Sequence, residues 1–250
     1  IGWYDEKKYS PNYPPVQFTT STGNNGELYP IIKIADELGW ETAYFNISLS
    51  NLLPNEVVYF YFDNLPEPIV AKTFSIQLDT IRFTAFGDQG TSEAAKKISN
   101  AISYDDESLF TIILGDLAYA NPMQYFNGTD IWWWEQWNNW FSQNEVFTKD
   151  KQVLYVVGNH ENEWNGSRGR WTYDSILSRI EQPNNERYFL VDSPPMALLI
   201  IDSNSLESNN YGNIQLEWID QTLESIKDRK DITWRIAAFH HNFDVKERTG

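Results

Sequence analysis

Apolar residues along this chain follow two grammars, and the change falls near Asp79-Thr80. Before it, short β-branched and aromatic runs are separated by turn formers. Val16–Thr20, Leu28–Ile34, Thr42–Leu49, Val57–Phe62 and Val70–Leu78 each read as a strand. In Thr42–Leu49, Ala43, Phe45, Ile47 and Leu49 alternate with Thr42, Tyr44, Asn46 and Ser48, which predicts one dry and one wet face. Apart from Val16–Thr20, residues 1 to about 25 carry no period and read as an irregular lead-in. Short strands, turns and no helix predict a small all-β sandwich domain over residues 1–79. No residue cluster in it suggests chemistry.

After Thr80, strands alternate with helices. Ile81–Phe86 reads as a strand, and Ser92 can cap a helix through Ser103 with Ala94, Ala95, Ile98 and Ile102 on one face. Leu109–Leu114 is continuously apolar, the signature of a strand buried on both faces. From Asp130 to about Val146, Trp133, Trp137, Trp140 and Phe141 form one helical stripe. Such a stripe can bind sugar or base, but packing against a sheet is the commoner use. Val153–Val157, Arg187–Asp192, Ala197–Asp202 and Ile232–Phe239 are further strands. Gln215 to Lys227 reads as an amphipathic helix with Leu216, Ile219, Leu223 and Ile226 inward. The whole predicts an α/β (α+β) domain over 80–250 with mostly parallel central strands.

Charge narrows the function. With 35 acidic and 19 basic residues the formal net charge is −16, so there is no basic footprint for nucleic acid or for a membrane surface. An anionic substrate would be repelled at long range, and local metal cations are the obvious source of attraction. The absence of Cys excludes disulfides, thiolate metal sites and Cys nucleophiles. Sequons occur at Asn46, Asn127 and Asn165, about the number chance gives for a chain with 23 Asn. Residue 1 is Ile and Gly250 follows a strand-like run closely, which reads as a processed or cut start and a fragment's end.

The chain has three His, and all three, His160, His240 and His241, fall immediately after a predicted strand. Asp88, Asp116 and Asn159 occupy the same kind of position, and Tyr119 lies just beyond. Parallel strands place their carboxyl ends on one edge of a sheet, where ligands bind. Oxygen and nitrogen donors without thiolate suit Fe, Mn or Zn.

Four stretches, Gly87-Asp88-Gln89-Gly90, Gly115-Asp116-Leu117-Ala118-Tyr119, Gly158-Asn159-His160-Glu161 and Ala237-Ala238-Phe239-His240, resemble the first four of five blocks of the metallophosphoesterases: GDxG, GDxxY, GNH(E/D), VxxH and GHxH. The Tyr of the second block is similar to that of the purple acid phosphatase branch, whose plant- and fungal-type members carry an N-terminal fibronectin-III-like domain. The resemblance implies a metallophosphoesterase sandwich with a binuclear metal centre, Fe3+ paired with Fe2+, Zn2+ or Mn2+. Asp88 and Tyr119 would bind the first ion, Asn159 and His240 the second, and Asp116 both. His160 would be the catalytic group in the outer shell, at the phosphate or leaving group. Glu161 would be its neighbour, although by itself it reads equally well as a solvated loop carboxylate. The implied activity is acid phosphatase hydrolysis of small phosphate monoesters by a hydroxide held between the ions. A phosphodiesterase or nucleotidase, or a non-catalytic binding homologue, is the alternative. A secreted, lysosomal or vacuolar glycoprotein, with a second copy as candidate partner, completes the implied picture. Two departures stand out: Ala237 replaces Val, and residues 1–250 contain no GHxH block. His241 is not expected to replace the missing imidazoles, because successive side chains of a strand point to opposite faces.

Overall fold

The computed structural model describes residues 2–5, 14–37, 40–63, 65–73, 80–120, 133–165, 170–183, 186–205 and 211–242. Up to residue 73 every regular element is a strand: β1 (Gly2–Asp5), β2 (Val16–Thr20), β3 (Asn25–Leu28), β4 (Ile31–Glu37), β5 (Trp40–Asn46), β6 (Val57–Tyr61) and β7 (Ile69–Lys72). They form two antiparallel sheets, ordered β1-β5-β4 and β3-β2-β6-β7. The lead-in is therefore not wholly irregular, because Gly2–Asp5 pairs with Asn46–Ala43 of β5. The run read as one strand from Leu28 to Ile34 is two, parted at Tyr29-Pro30, where proline has no N–H to give a ladder. Val16, Ile47, Val58 and Phe60 centre the core of this region. The expected domain boundary and the end of the strand read at Val70–Leu78 fall on residues 74–79, outside the described residues.

Of the positions expected to be wet, Ser48 is exposed but Tyr44 and Asn46 are not. Tyr44 and Asn46 are as buried as Phe45. Tyr44 packs its ring 6.1 Å from Phe141 and its hydroxyl accepts a 3.0 Å hydrogen bond from Arg179 Nε. The polar-looking face is thus where this sheet meets the rest of the chain.

From Thr84 the architecture becomes layered. β8 (Thr84–Phe86), α1 (Glu93–Ser103), β9 (Phe110–Leu114), α2 (Trp133–Thr148) and β10 (Gln152–Val156) give a parallel sheet ordered β10-β9-β8. Ser92 caps α1, its side chain accepting from Ala95 N, as its position suggests. A hairpin, β11 (Glu163–Asn165) with β12 (Arg170–Thr172), leads to the short α3 (Asp174–Leu177). β13 (Phe189–Ser193), β14 (Met196–Ile200), α4 (Tyr211–Ile226) and β15 (Trp234–Ala238) follow. β14 pairs antiparallel with β13 and parallel with β15.

The strands thus form two sheets rather than one. Phe110, Ile112 and Val156 of the first share a buried cluster with Phe189, Met196, Leu198, Ile200 and Ala238 of the second. The first sheet's other face meets Trp137, Trp140 and Phe147 of α2, and the second's meets Ile226 of α4. The layer order is helix, sheet, sheet, helix. Trp137 and Trp140 are fully buried, so the aromatic stripe of α2 is core and not a sugar- or base-binding face. The side chain of Trp133, the first residue of the stripe read from the sequence, lies outside what is described.

α4 keeps Ile219 and Ile226 toward the core as expected but sits rotated so that Leu216 and Leu223 do not face it. Gln215, Thr222 and Ile226 are buried, whereas Leu216 and Leu223 are 48% and 44% exposed. A buried amide turns the helix: Gln215 Oε1 accepts from Asp202 N (2.9 Å) and its Nε2 donates to Asp202 O (2.8 Å) and Ser205 Oγ (2.8 Å). An unmet buried peptide group costs as much as a leucine methyl or two. Among the described residues no helix is long and apolar enough to cross a membrane.

Candidate metal centre

Four strands end at one place. β8 delivers Asp88, β9 delivers Asp116 and Tyr119, and β10 delivers Asn159 and His160, while β15 of the second sheet delivers His240. The edge expected of a single sheet is therefore a seam between two. The first two loops run side by side: Asp88 N donates to Gly115 O (3.1 Å), Gln89 N to Asp116 O (3.1 Å) and Gly90 N to Leu117 O (2.9 Å). Asp88, Asp116 and Tyr119 all hold positive φ, 53°, 51° and 52°. Side chains rarely adopt that conformation, and it persists only where surroundings over-determine it. Gly158 makes the third loop's approach feasible, since a Cβ there would stand 2.2 Å from Asp116 Oδ1.

Ligand atoms of Asp88, Asp116 and His240 lie within 4.8 Å of one another. His240 Nδ1 sits 2.7 Å from Leu114 O, a bond in which the ring N–H donates. This turns Nε2 toward Asp116 Oδ1 (3.3 Å) and Asn159 Oδ1 (3.2 Å). A ring nitrogen fixed by an outer partner, with the other facing oxygen donors, is the usual posture of a metal-binding His. Tyr119 donates its hydroxyl to Asp88 Oδ1 (3.1 Å). His160 is buried beside Asp116, with Nε2 3.7 Å from Oδ2 and its backbone N donating to Oδ1 (3.0 Å). Its ring lies 4.4 Å from that of Tyr119, and its buried Nδ1 has no hydrogen-bond partner among the described residues. All six residues singled out in the sequence are thus neighbours.

The electrostatics suit a cation. Burial pushes the Asp116 carboxyl up, but His240 and His160 outweigh it and hold it below its ordinary value. Burial lowers His240, and Asp116, the Leu114 carbonyl and Asp88 overcome this to raise it to about 9. Burial first, then Asp116 and Asp88, push the Tyr119 phenol up. A phenol kept protonated beside two carboxylates becomes a ligand only when a metal's charge reverses that balance. Among the described residues no Lys or Arg pairs with Asp88 or Asp116. Carboxylate, amide, phenol and imidazole donors, without sulfur, fit a hard or borderline ion.

Two sequence readings need correcting. Glu161 is not solvated, and its carboxylate is engaged by backbone amides. It is wholly buried, and its oxygens accept from Asp116 N, Leu117 N and Gly158 N, each at 2.8 Å. Burial pushes it up to about 7, against those amides. It ties the second loop to the third. His241 is not turned away: β15 ends at Ala238, so strand alternation no longer applies, and His241 Nε2 reaches 3.0 Å from Asn159 Oδ1. Ser203 Oγ accepts from His241 N (3.0 Å), and Asn204 Nδ2 donates to Gly158 O (2.9 Å). Its place just after the last strand, next to His240, was the sequence signal for His241. Ser203 and Asn204 carried none, being ordinary turn residues.

A family model described as calcineurin-like phosphoesterase matches residues 81–249. An uncharacterized protein of Mycobacterium tuberculosis is 25% identical over 225 aligned positions, covering 77% of this chain and 41% of its own length. An Arabidopsis thaliana protein named "Probable purple acid phosphatase 20" is 24% identical over 258 positions, covering 96% of this chain and 55% of its own. The chain spans about half the length of the curated relatives it matches.

Proposed function

We propose, from the premise that this chain belongs to the calcineurin-like phosphoesterase family, that it hydrolyses phosphate monoesters at a two-metal centre of the purple acid phosphatase kind. The observation that carries the reading is Tyr119, whose hydroxyl stands 3.1 Å from Asp88 at the edge of the Asp88–Asp116–His240 cluster. A phenol ligand favours a ferric ion there, with Fe2+, Zn2+ or Mn2+ beside it. Asp88, Tyr119 and Asp116 would hold the first ion, and Asn159, His240 and Asp116 the second. Asp116 would serve both, because its carboxylate lies against His240 of one set and Tyr119 of the other.

Bound there, such ions supply Lewis-acid charge to a phosphoryl oxygen and make water acidic enough to act near neutral pH. The rest falls to the chain. Asp116 orients His160 through its carboxylate and fixes the third loop through the His160 amide. His160 Nε2 is then the atom that would hold a proton for the leaving oxygen. Tyr119 covers the His160 ring on one side, which narrows the rotamers open to it. Glu161 keeps the second and third loops in register.

The substrate is a small phosphorylated molecule and not a nucleic acid, because a chain of net charge −16 offers no extended anion footprint. Residues 1–79 are proposed as a fibronectin-III-like domain, with a secreted, lysosomal or vacuolar location and a second copy as a partner.

The test is the full-length protein with an aryl phosphate monoester and the matching diester. Metal-dependent turnover that favours the monoester is expected. Preference for the diester would assign a phosphodiesterase, and no turnover of either with metal bound would leave a binding homologue.

A further inference from the structure

α2 does more than fill the core. Its residues Gln136, Trp140, Gln143 and Asn144, spaced i, i+4, i+7, i+8, form one stripe, and all four reach the loops that carry Asp88 and Tyr119. Gln89, between Asp88 and Gly90, points away from the metal centre into this stripe. Its Oε1 accepts from Trp140 Nε1 (2.8 Å) and Asn144 Nδ2 (3.0 Å). Its Nε2 donates to Asn144 Oδ1 (2.8 Å) and to Ser99 Oγ of α1 (3.0 Å). Both donors and both lone pairs of that amide are used. Gln143 Nε2 donates to Gly90 O (2.6 Å). Gln136 Nε2 donates to Ala118 O (2.8 Å), the carbonyl just before Tyr119, and to Thr91 Oγ1 (2.9 Å).

We infer that the polar stripe of α2, centred on the Gln89–Asn144 amide pair, is the positioning device for the Asp88–Tyr119 half of the metal centre. It holds residues 89, 90, 91 and 118, which flank the two ligands at positive φ, and so supplies the over-determination those conformations need. Asn144 and Ser99 are wholly buried, and the Gln89 amide at the centre of the stripe is fully paired, which favours one geometry there. The Asn159–His240 half has separate bracing, through Asn204 to Gly158 and Ser203 to His241. Gln89 is thus a positioning residue for one ion and not for the other. The inference rests on the two-metal reading above.

The experiment strips the full-length protein with a chelator and titrates it with Co2+, following heat and visible absorption. The unaltered protein is expected to take up Co2+ in two steps. Gln89→Ala should weaken one step about 10- to 100-fold, the usual cost of losing an outer-shell partner, and leave the other within about twofold. The weakened step should be the one that Asp88→Asn removes and His240→Ala spares. Phe147→Leu, which thins the same helix's apolar packing without touching the loops, should lower the melting temperature and neither affinity. Should Gln89→Ala fail to fold, Gln136→Leu, which releases the Ala118 carbonyl and the Thr91 hydroxyl but leaves the Gln89–Asn144 pair, takes its place with the same expectation. Unchanged affinities, or both steps weakened together as the melting temperature falls, would overturn the inference. A protein that takes up no metal at all would instead overturn the functional reading beneath it.

Discussion

Single residues carry this site because several stand where ordinary side chains do not. Asp88, Asp116 and Tyr119 hold positive φ, and Gly158 lies against Asp116 with no room for a methyl group. Gly158→Ala should therefore displace Asp116 and cost roughly 1–3 kcal/mol of stability, read by denaturant unfolding, together with measurable loss of metal uptake. A Tyr119→Phe substitution should abolish any broad visible absorption of the iron-loaded protein while leaving it folded. A band that survives it would remove Tyr119 from the ligands. His240 gives a pH test with a defined sign. Burial lowers it, but Asp116 and the Leu114 carbonyl raise it to about 9 from 6.5. A raised folded value means that the contribution to stability is complete below about pH 6.5 and is lost as pH rises through about 9. The melting temperature of chelated protein should fall over that window, and His240→Gln should flatten the fall. The side chains that cluster at the seam were legible in the sequence because each follows a strand that can be read from its apolar run. Glu161 was not, since nothing in Gly158-Asn159-His160-Glu161 says that its carboxylate folds back onto three backbone amides.

Elements were read well where burial is two-sided and poorly where a polar group directs packing. The run Leu109–Leu114 became β9 as expected, because no exposed face interrupts it. In α4 the apolar period pointed to Leu216 and Leu223, but the amide of Gln215 has two backbone partners at Asp202, and it fixes the helix's rotation. Replacing Leu216 and Leu223 together by Gln should change stability by less than about 1 kcal/mol, as for surface sites. Gln215→Leu should cost roughly 1–3 kcal/mol by orphaning the Asp202 amide and carbonyl. Equal effects in a thermal melt would return the helix to the phase its apolar residues suggest. The same physics hid Gln89: a polar residue in a loop motif gives no sign that its partners lie on a helix some fifty positions later.

At the scale of the whole molecule, two sheets supply one site, and the strands before residue 73 lean on the layers after residue 84. Lys33 of β4 reaches Glu181 and Glu186 at 2.6 Å each and the carbonyls of Leu177 and Ile180. Lys33→Met leaves the buried Glu186 without its partner. It should lower stability by roughly 2 kcal/mol, less than for a fully buried pair, with Co2+ affinity unchanged. The sequence could not show this contact, because a lysine on an alternating strand looks like an ordinary solvated residue. The apolar runs alone could not show which sheet Ala197–Asp202 and Ile232–Phe239 join, although the resemblance implied a sandwich. The account stands on Asp116 serving two ions between those sheets, and elemental analysis of metal bound per chain tests that most directly. Full-length protein should hold two ions and Asp116→Asn should weaken both, whereas a single ion, or two retained at full affinity by Asp116→Asn, would contradict it.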